Sequence, residues 1–410
     1  MGKSYDLGAL VKEDVASNEQ SLLFDSGNVS FTSEPATDDF YVGIDCGSTQ
    51  TRAVVVPHSV VETEPDLAVW FERSVVFPSV SKLIEEDRQV KYRSPLLADR
   101  LDSCFSVNGG EAHRIVRGSK ALDYEVKQNE LYASEKKIDS GALRFNIIDA
   151  IGFCFVQFSA QSGNPIPSEV SVRLNVALPP DDLKTAAALD KIKNELRVIR
   201  WAWCDKEPMT IRIKDFDVCS EPEAQVKAYY SLHDVDLPEE VVMVEVGGRN
   251  GATALLLRGE TLEQGDRAIE VSGTQLLDKI GDEYMSLFGG KMPSMRYLQS
   301  AIQTGQMKHG NEYRDITDII KKSKDLIAED IFYKLQSNVI SRQTVIAMQT
   351  LDVIVLGGRV FDPGDYNYSV AVKFKELMKT VSPATQVVVL GENLIPQGLV
   401  LKYISDRLQD

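Results

Sequence analysis

The stretch Gly43-Ile44-Asp45-Cys46-Gly47-Ser48-Thr49-Gln50-Thr51 decides the fold. It continues the apolar run Phe40-Tyr41-Val42 and leads into the β-branched segment 51–56 (TRAVVV), which predicts a return strand. A tight hairpin therefore joins two strands. A carboxylate ends the first strand, then come a glycine and hydroxyl residues. Gly47 has no Cβ, so backbone there approaches a ligand closely. Successive backbone N–H groups, with the Ser48 and Thr49 hydroxyls, suit phosphate oxygens. Phosphate would repel Asp45, whose sensible partner is a hydrated Mg2+. The other reading is an ordinary hairpin whose turn happens to be DCGST. No GxxxxGK[ST] follows a strand here, so this is not a Walker P-loop.

The same logic recurs at Val244-Glu245-Val246-Gly247-Gly248-Arg249-Asn250-Gly251-Ala252-Thr253. A strand, a glycine turn and a return strand thus occur at 42–56 and again at 241–257, a weak internal repeat that suggests two related lobes facing one another. Two such turns would clamp a triphosphate from opposite sides, although each also reads as a structural turn. A third glycine element, Val353-Ile354-Val355-Leu356-Gly357-Gly358-Arg359-Val360-Phe361, ends a buried strand. It suits backbone packed on a flat nucleotide base, or only a helix-start turn.

Between the hairpins lies Ser220-Glu221-Pro222-Glu223-Ala224-Gln225-Val226-Lys227-Ala228-Tyr229. Pro222 fits the first turn of a helix, and acidic residues there complement the helix dipole. That accounts for both glutamates structurally. The sharper reading has one of them orient the water that attacks a γ-phosphate.

Around these elements the pattern predicts helices at 143–160, 224–232, 273–288, 315–335 and 397–408. Strands are expected at 170–178, 209–218, 241–246, 352–356 and 386–390, with short strands and loops over 75–125. Asp181 or Asp182 is placed to cap a turn or helix after Pro179-Pro180. Alternating strands and helices predict an α/β protein. The expected organisation is a polar, mobile arm over 1–39, a first lobe over 40–235 plus 391–410, and a second lobe over 236–390.

The 410 residues are 43% hydrophobic and 26% charged, with a net charge of −16. That charge argues against a broad nucleic-acid-binding face. It also predicts that salt and divalent cations favour any self-assembly by screening repulsion. No apolar run approaches the ~18 residues a membrane span needs, and the start lacks a signal-peptide pattern, so a cytoplasmic location is expected. Five scattered cysteines (Cys46, Cys104, Cys154, Cys204, Cys219) fit reduced thiols and no zinc site. The histidines (His58, His113, His233, His309) are equally far apart.

Taken in order, these elements resemble the actin superfamily over about residues 40–410. Asp45 to Thr51 resembles its phosphate-1 loop, Glu245 to Thr253 its phosphate-2 loop, and 356–359 its adenosine motif. Ser220 to Tyr229 is similar to the helix connecting the lobes, including the E-P-x-A-x-x-x-A-Y pattern of heat-shock 70-type chaperones. Within the superfamily the chain most resembles plasmid-segregating actins of the ParM type and their archaeal relatives. Phe77-Pro78-Ser79-Val80, Val176-Ala177-Leu178-Pro179, Val246-Gly247-Gly248-Arg249 and GENLIPQGLVLKY over 391–403 carry that likeness, with the entry to the connecting helix over 218–223.

The resemblance implies an α/β, actin-like ATPase fold: two lobes, each on a ribonuclease-H-like mixed sheet with flanking helices, and a nucleotide cleft between them. It implies a filament-forming ATPase that uses ATP and Mg2+ in plasmid or DNA segregation or intracellular positioning. Its partners would be further copies of itself and an adaptor to DNA or other cargo. Asp45 and Glu245 would reach Mg2+ through water. Glu223 would orient the attacking water, with Glu221 as runner-up. Phosphate contacts would come from Gly47, Ser48, Thr49, Gln50 and Thr51 in one lobe, and from Gly247, Gly248, Arg249 and Asn250 in the other. Gly273, Gly357, Gly358 and Arg359 would complete the nucleotide site with Lys321 and Lys324, which with Lys322 fall in a helix that supplies adenosine contacts in relatives. That helix could equally present these lysines to solvent.

Three positions depart from the family pattern. Phosphate-2 starts with Glu245 in place of Asp, and the extra methylene moves the carboxylate by ~1.5 Å, a distance that matters in catalysis. Ala252 replaces a later acid, and Arg359 replaces the adenosine motif's third glycine. Nucleotide binding is thus better supported than fast hydrolysis. The alternative is a non-polymerising or degenerate ATPase of the same fold, acting as a soluble enzyme or scaffold.

Overall fold

The structure, a computed structural model, describes residues 30–47, 50–63, 67–79, 81–84, 103–117, 136–203, 206–233, 235–248, 250–262, 265–339, 351–361, 369–390 and 393–408. The chain divides into two compact units. One holds the described residues before Ser220, together with Lys227–Leu232 and Leu394–Asp410; the other holds Ser220–Val226 and His233–Asn393.

The first unit is built on strands β1 (Asp39–Cys46), β2 (Gln50–Pro57), β3 (Val75–Pro78), β4 (Ser81–Ile84), β5 (Ser103–Val107), β6 (His113–Arg117), β7 (Glu169–Leu178), β8 (Val198–Trp203) and β9 (Met209–Ser220). They form one sheet in the order β3-β2-β1-β7-β9-β8-β5-β6-β4. β1 runs antiparallel to β2, from Phe40 opposite Pro57 to Cys46 opposite Thr51, and parallel to β7. Side chains alternate across a strand, so β1 serves two cores. Phe40, Val42, Ile44 and Cys46 join the core that includes Ile147, Ile151 and Phe155 of the helix Gly141–Ser162. Tyr41 joins Val54, Val56, Val400 and Tyr403 beneath the helix Ile395–Leu408. That helix comes so close that a Cβ on Gly43 would lie 2.1 Å from the Pro396 carbonyl oxygen. Only glycine allows this approach.

The helix Gly141–Ser162 corrects one expectation. Its 22 residues are long and apolar enough to cross a membrane, yet most of the helix is buried within the protein. Polar Asn146 and Asp149 interrupt the apolar pattern, and both are buried. Asp149 accepts hydrogen bonds from Ser103 Oγ (2.6 Å), Trp201 Nε1 (2.8 Å) and Arg117 Nε (2.5 Å). Arg117 also donates to Asn146 Oδ1 and the Phe145 carbonyl, and its guanidinium lies 4.8 Å from the Phe77 ring centroid. A buried ion pair is tolerated when its remaining hydrogen-bonding capacity is met in this way.

The second unit repeats the pairing logic. Its strands are β10 (Glu240–Val246), β11 (Gly251–Leu257), β12 (Glu260–Thr261), β13 (Arg267–Ile269), β14 (Gln306–His309), β15 (Glu312–Asp315), β16 (Val353–Gly357) and β17 (Gln386–Val389). β10 pairs antiparallel with β11 and parallel with β16, as β1 does with β2 and β7. β14 and β15 form a separate hairpin. The core draws on Ile280 of the helix Gly273–Phe288, Ile327 and Ile331 of Thr317–Lys334, and Phe374 of Val370–Val381. The fold class is mixed α/β.

Several boundaries differ from expectation for local reasons. The helix predicted from 315 starts at Thr317, because Asp315 ends β15 and its Oδ1 accepts from the Thr317 N–H. The last helix starts at Ile395, two residues early, with Pro396 in its first turn. Asp181 and Asp182 do not cap. Pro179 precedes the short helix Pro180–Leu183, and Asp182 Oδ2 accepts from the Ile138 N–H instead. The expected arm lies outside the described residues over 1–29. Residues 30–38, however, run along the chain entering β7: Thr32 N–H donates to Ile166 O, Ile166 N–H to Ser30 O and Ala36 N–H to Glu169 O. Phe31 and Ala36 pack on the first unit's core.

Candidate functional site

The first turn joins β1 to β2. Asp45 is buried near the end of β1, and Arg52 Nη1 of β2 stands 3.8 Å from its Oδ2. Arg52 Nη2 donates to Gln50 Oε1 at 2.6 Å. The carboxylate at the strand end is therefore met by a guanidinium from the return strand. A Cβ on Gly47 would lie 2.6 Å from the Gln50 carbonyl oxygen, so this turn requires glycine for its own closure. Ser79, fully buried just after β3, donates from Oγ to the Gly47 carbonyl at 2.6 Å. The Thr51 hydroxyl lies 2.9 Å from the same Ser79 oxygen. The single Ser79 proton is committed to Gly47, so Thr51 is the donor in that pair. Ser48 and Thr49 lie outside the described residues.

The second turn joins β10 to β11, with Val246 opposite Gly251 and Glu245 opposite Ala252. Gly247 N–H donates to Asn250 O at 2.9 Å. The start of the helix Gly273–Phe288 packs on this turn. Gly273 N–H donates to Gly247 O (2.9 Å), while Thr274 donates to Gly248 O from its N–H (2.8 Å) and its hydroxyl (2.7 Å). Gly273 is thus placed by the turn itself; a Cβ there would sit 3.4 Å from Gly248 Cα. Ser272 caps the helix by accepting from Gln275 N–H. Glu245 is half-buried, Asn250 exposed and Ala252 buried. Arg249 lies outside the described residues.

The third element follows β16. Gly358 has φ +98°, and a Cβ there would lie 2.3 Å from the Val246 carbonyl oxygen. Gly358 is therefore held against the second turn and has a backbone reason to be glycine. Gly357 faces Met243 and Gln225, whose Cγ would be 3.8 Å from a Cβ at 357. The backbone at Arg359 opens a short turn of 3-10 helix over Arg359–Phe361, and its side chain lies outside what the structure describes.

The helix Glu221–Leu232 carries the candidate glutamates in its first turn. Glu223 N–H points at Ser220 Oγ at 3.4 Å, the serine-to-glutamate spacing of a capping box. Both Glu221 and Glu223 are half-buried. Gln225, one step further, is buried and had no part in the sequence reading. The lysines separate as the helix Thr317–Lys334 dictates. Lys321 and Lys322 are exposed, and Lys322 pairs with Glu283 at 2.7 Å. Lys324 does not face solvent. It lies on the stripe of Ile320, Ile327 and Ala328, and burial pulls its ammonium below the ordinary lysine pKa.

The sequence reading missed Ser79 and Arg52 as parts of the first turn. Ser79 was visible only as part of the Phe-Pro-Ser-Val resemblance, and nothing local indicates that it reaches back to Gly47. Among the described residues, no group of three or more His, Cys, Asp or Glu side chains is arranged to hold a metal ion.

No protein-family model matches this chain, and no curated protein sequence does. Solved structures do. Ta0583, an archaeal actin homolog, superposes with a TM-score of 0.58 at 12% identity, covering 90% of this chain and 99% of that one. It has also been solved in complex with ADP. Bacillus thuringiensis ParM, solved with ATP, gives a TM-score of 0.57 at 13% identity, covering 90% of this chain and 99% of that one. Alp12, solved as a filament, gives 0.53 at 14% identity, with 90% and 100% covered. The chain has an actin-like fold. Within that class its likeness is to actin homologs of the ParM type.

Proposed function

We propose that the chain is a nucleotide-dependent, filament-forming ATPase that uses ATP with Mg2+. The observation that carries this reading is the repeated hairpin: an acid near the end of the first strand, then a closed glycine turn, once in each unit. This fold holds ADP in Ta0583 and ATP in Bacillus thuringiensis ParM, and builds a filament in Alp12. In this reading Gly47 to Thr51 and Gly247 to Asn250 serve the phosphates. Gly273, Gly357, Gly358, Arg359, Lys321 and Lys324 serve the rest of the nucleotide. Glu223 orients the attacking water, with Glu221 second.

Each turn taken by itself carries a donor suited to Mg2+ held mainly by phosphate. Asp45 in one unit and Glu245 in the other are hard oxygen donors near the ends of equivalent strands, and no all-protein cage is present among the described residues. Bound there through water, the ion would neutralise phosphate charge. Arg52 then has a defined part: its guanidinium balances Asp45 in the absence of a cation.

A filament built on nucleotide state suits positioning of DNA or another cargo through an adaptor in the cytoplasm, and the net charge of −16 places DNA contact on the adaptor. A second reading, a slow or degenerate ATPase acting as a scaffold, is favoured by Ala252. It faces Glu245 across the hairpin and Ala268 on its other side, so no carboxylate stands at that point. Titration calorimetry with ATP, ADP and adenosine, followed by a phosphate-release assay, tests the proposal. Binding with slow release supports the nucleotide-binding half, and no binding of ATP or ADP overturns it.

A further inference from the structure

Resting on the reading of Gly47 to Thr51 as a phosphate turn, we propose that Ser79 is a positioning residue for the nucleotide phosphates. It sits outside the turn in sequence, 32 residues from Gly47 and 28 from Thr51, yet its hydroxyl joins both ends of the turn. Oγ donates to the Gly47 carbonyl at 2.6 Å and accepts from the Thr51 hydroxyl, 2.9 Å away. A hydroxyl bonded to Gly47 at one end and Thr51 at the other holds the turn closed. Backbone N–H groups are the donors with which such a turn holds an anion. Ser79 thus fixes the closure of the turn that presents such donors, without touching the ligand.

The support behind Ser79 is itself rigid. Phe77, two residues earlier, lies opposite Thr51 in the β2–β3 register and is fully buried. The Arg117 guanidinium lies over its ring, and Asp149, Asn146 and the Phe145 carbonyl hold that guanidinium in turn. Three hydrogen bonds from one buried guanidinium confine the ring packed against it. Thr51 also changes role. Its proton goes to Ser79, so its hydroxyl serves the phosphates through the closure of the turn.

The test is Ser79→Ala in the full chain, with ATP and adenosine binding measured side by side by calorimetry. Loss of one positioned hydrogen bond predicts ATP affinity about tenfold weaker. Adenosine, which has no phosphate, keeps its affinity. ATP binding unchanged in Ser79→Ala, or ATP and adenosine weakened equally, overturns the proposal. If the unaltered chain binds adenosine but gains nothing from the phosphates, the phosphate-turn reading itself fails and the role of Ser79 falls with it. Should Ser79→Ala not fold, Thr51→Val against Thr51→Ser carries the test. Valine removes the proton given to Ser79 and serine keeps it, so the valine variant binds ATP about threefold to tenfold more weakly than the serine variant. Equal ATP affinities in that pair overturn the proposal.

Discussion

The carbonyl oxygen of Val246 lies 2.3 Å from the point a Cβ on Gly358 would occupy, so the third glycine element and the second hairpin are packed backbone on backbone. Gly358 also holds φ +98°, a region that favours glycine. Gly358→Ala is expected to lower unfolding free energy by at least ~2 kcal/mol, from backbone strain plus the displaced carbonyl. Urea denaturation checks this. A loss under ~0.5 kcal/mol would show that the contact relaxes without cost.

Glu223 and Glu221 share the first turn of one helix, and glutamine serves a capping box as well as glutamate does. Glu223→Gln therefore tests the carboxylate apart from the helix start. Phosphate release is expected to fall by about 10²-fold or more in Glu223→Gln, and by less than tenfold in Glu221→Gln, with ATP binding retained in both. Equal losses in the two variants would refute the assignment.

The Asp149–Arg117 pair is buried on both sides, at 2.5 Å. Removing Arg117 takes the counter-charge from Asp149 and leaves it only the Ser103 and Trp201 hydrogen bonds. Arg117→Ala is expected to destabilise the protein by ~3–5 kcal/mol in chemical denaturation. A loss near ~1 kcal/mol would mean that the network contributes little beyond its volume.

Burial holds the Lys324 pKa below its ordinary value of 10.5. The unfolded chain keeps that proton up to about pH 10.5, whereas the folded chain gives it up earlier. Unfolding therefore takes up a proton between the two values, and stability contributed at this site rises with pH across that window. Below the folded pKa the cost of the buried ammonium is present in full. Lys324→Met is expected to raise stability most at neutral pH, with its advantage over the unaltered chain shrinking as pH approaches 10.5. A difference independent of pH would contradict this.

The hairpins were legible because they are local. An acid, a glycine and a β-branched return occur within about ten residues, and the register from Cys46–Thr51 and Val246–Gly251 follows from the alternation of buried residues. The start of the helix Glu221–Leu232 was legible for the same reason, from Ser220 to Glu223. What did not show was nonlocal. Ser79 reaches Gly47 only once β3 has paired with β2, and Arg117 reaches Asp149 only after the sheet and the helix Gly141–Ser162 have packed. Lys324 read either as a nucleotide contact or as solvent-facing; the 3.6-residue period places it among Ile320, Ile327 and Ala328, away from solvent. The paired edge over 30–38 was hidden by its polar composition, since its bonds to Ile166 and Glu169 are made by backbone.

The most direct test of the central claim is high-speed pelleting of the purified full chain with Mg2+ and ATP, ADP or no nucleotide, with phosphate release followed in the same tubes. The account predicts ATP-dependent pelleting, favoured by salt because the net charge of −16 repels subunits, with phosphate released after assembly. Protein that stays in the supernatant with every nucleotide, across salt and protein concentration, would contradict it.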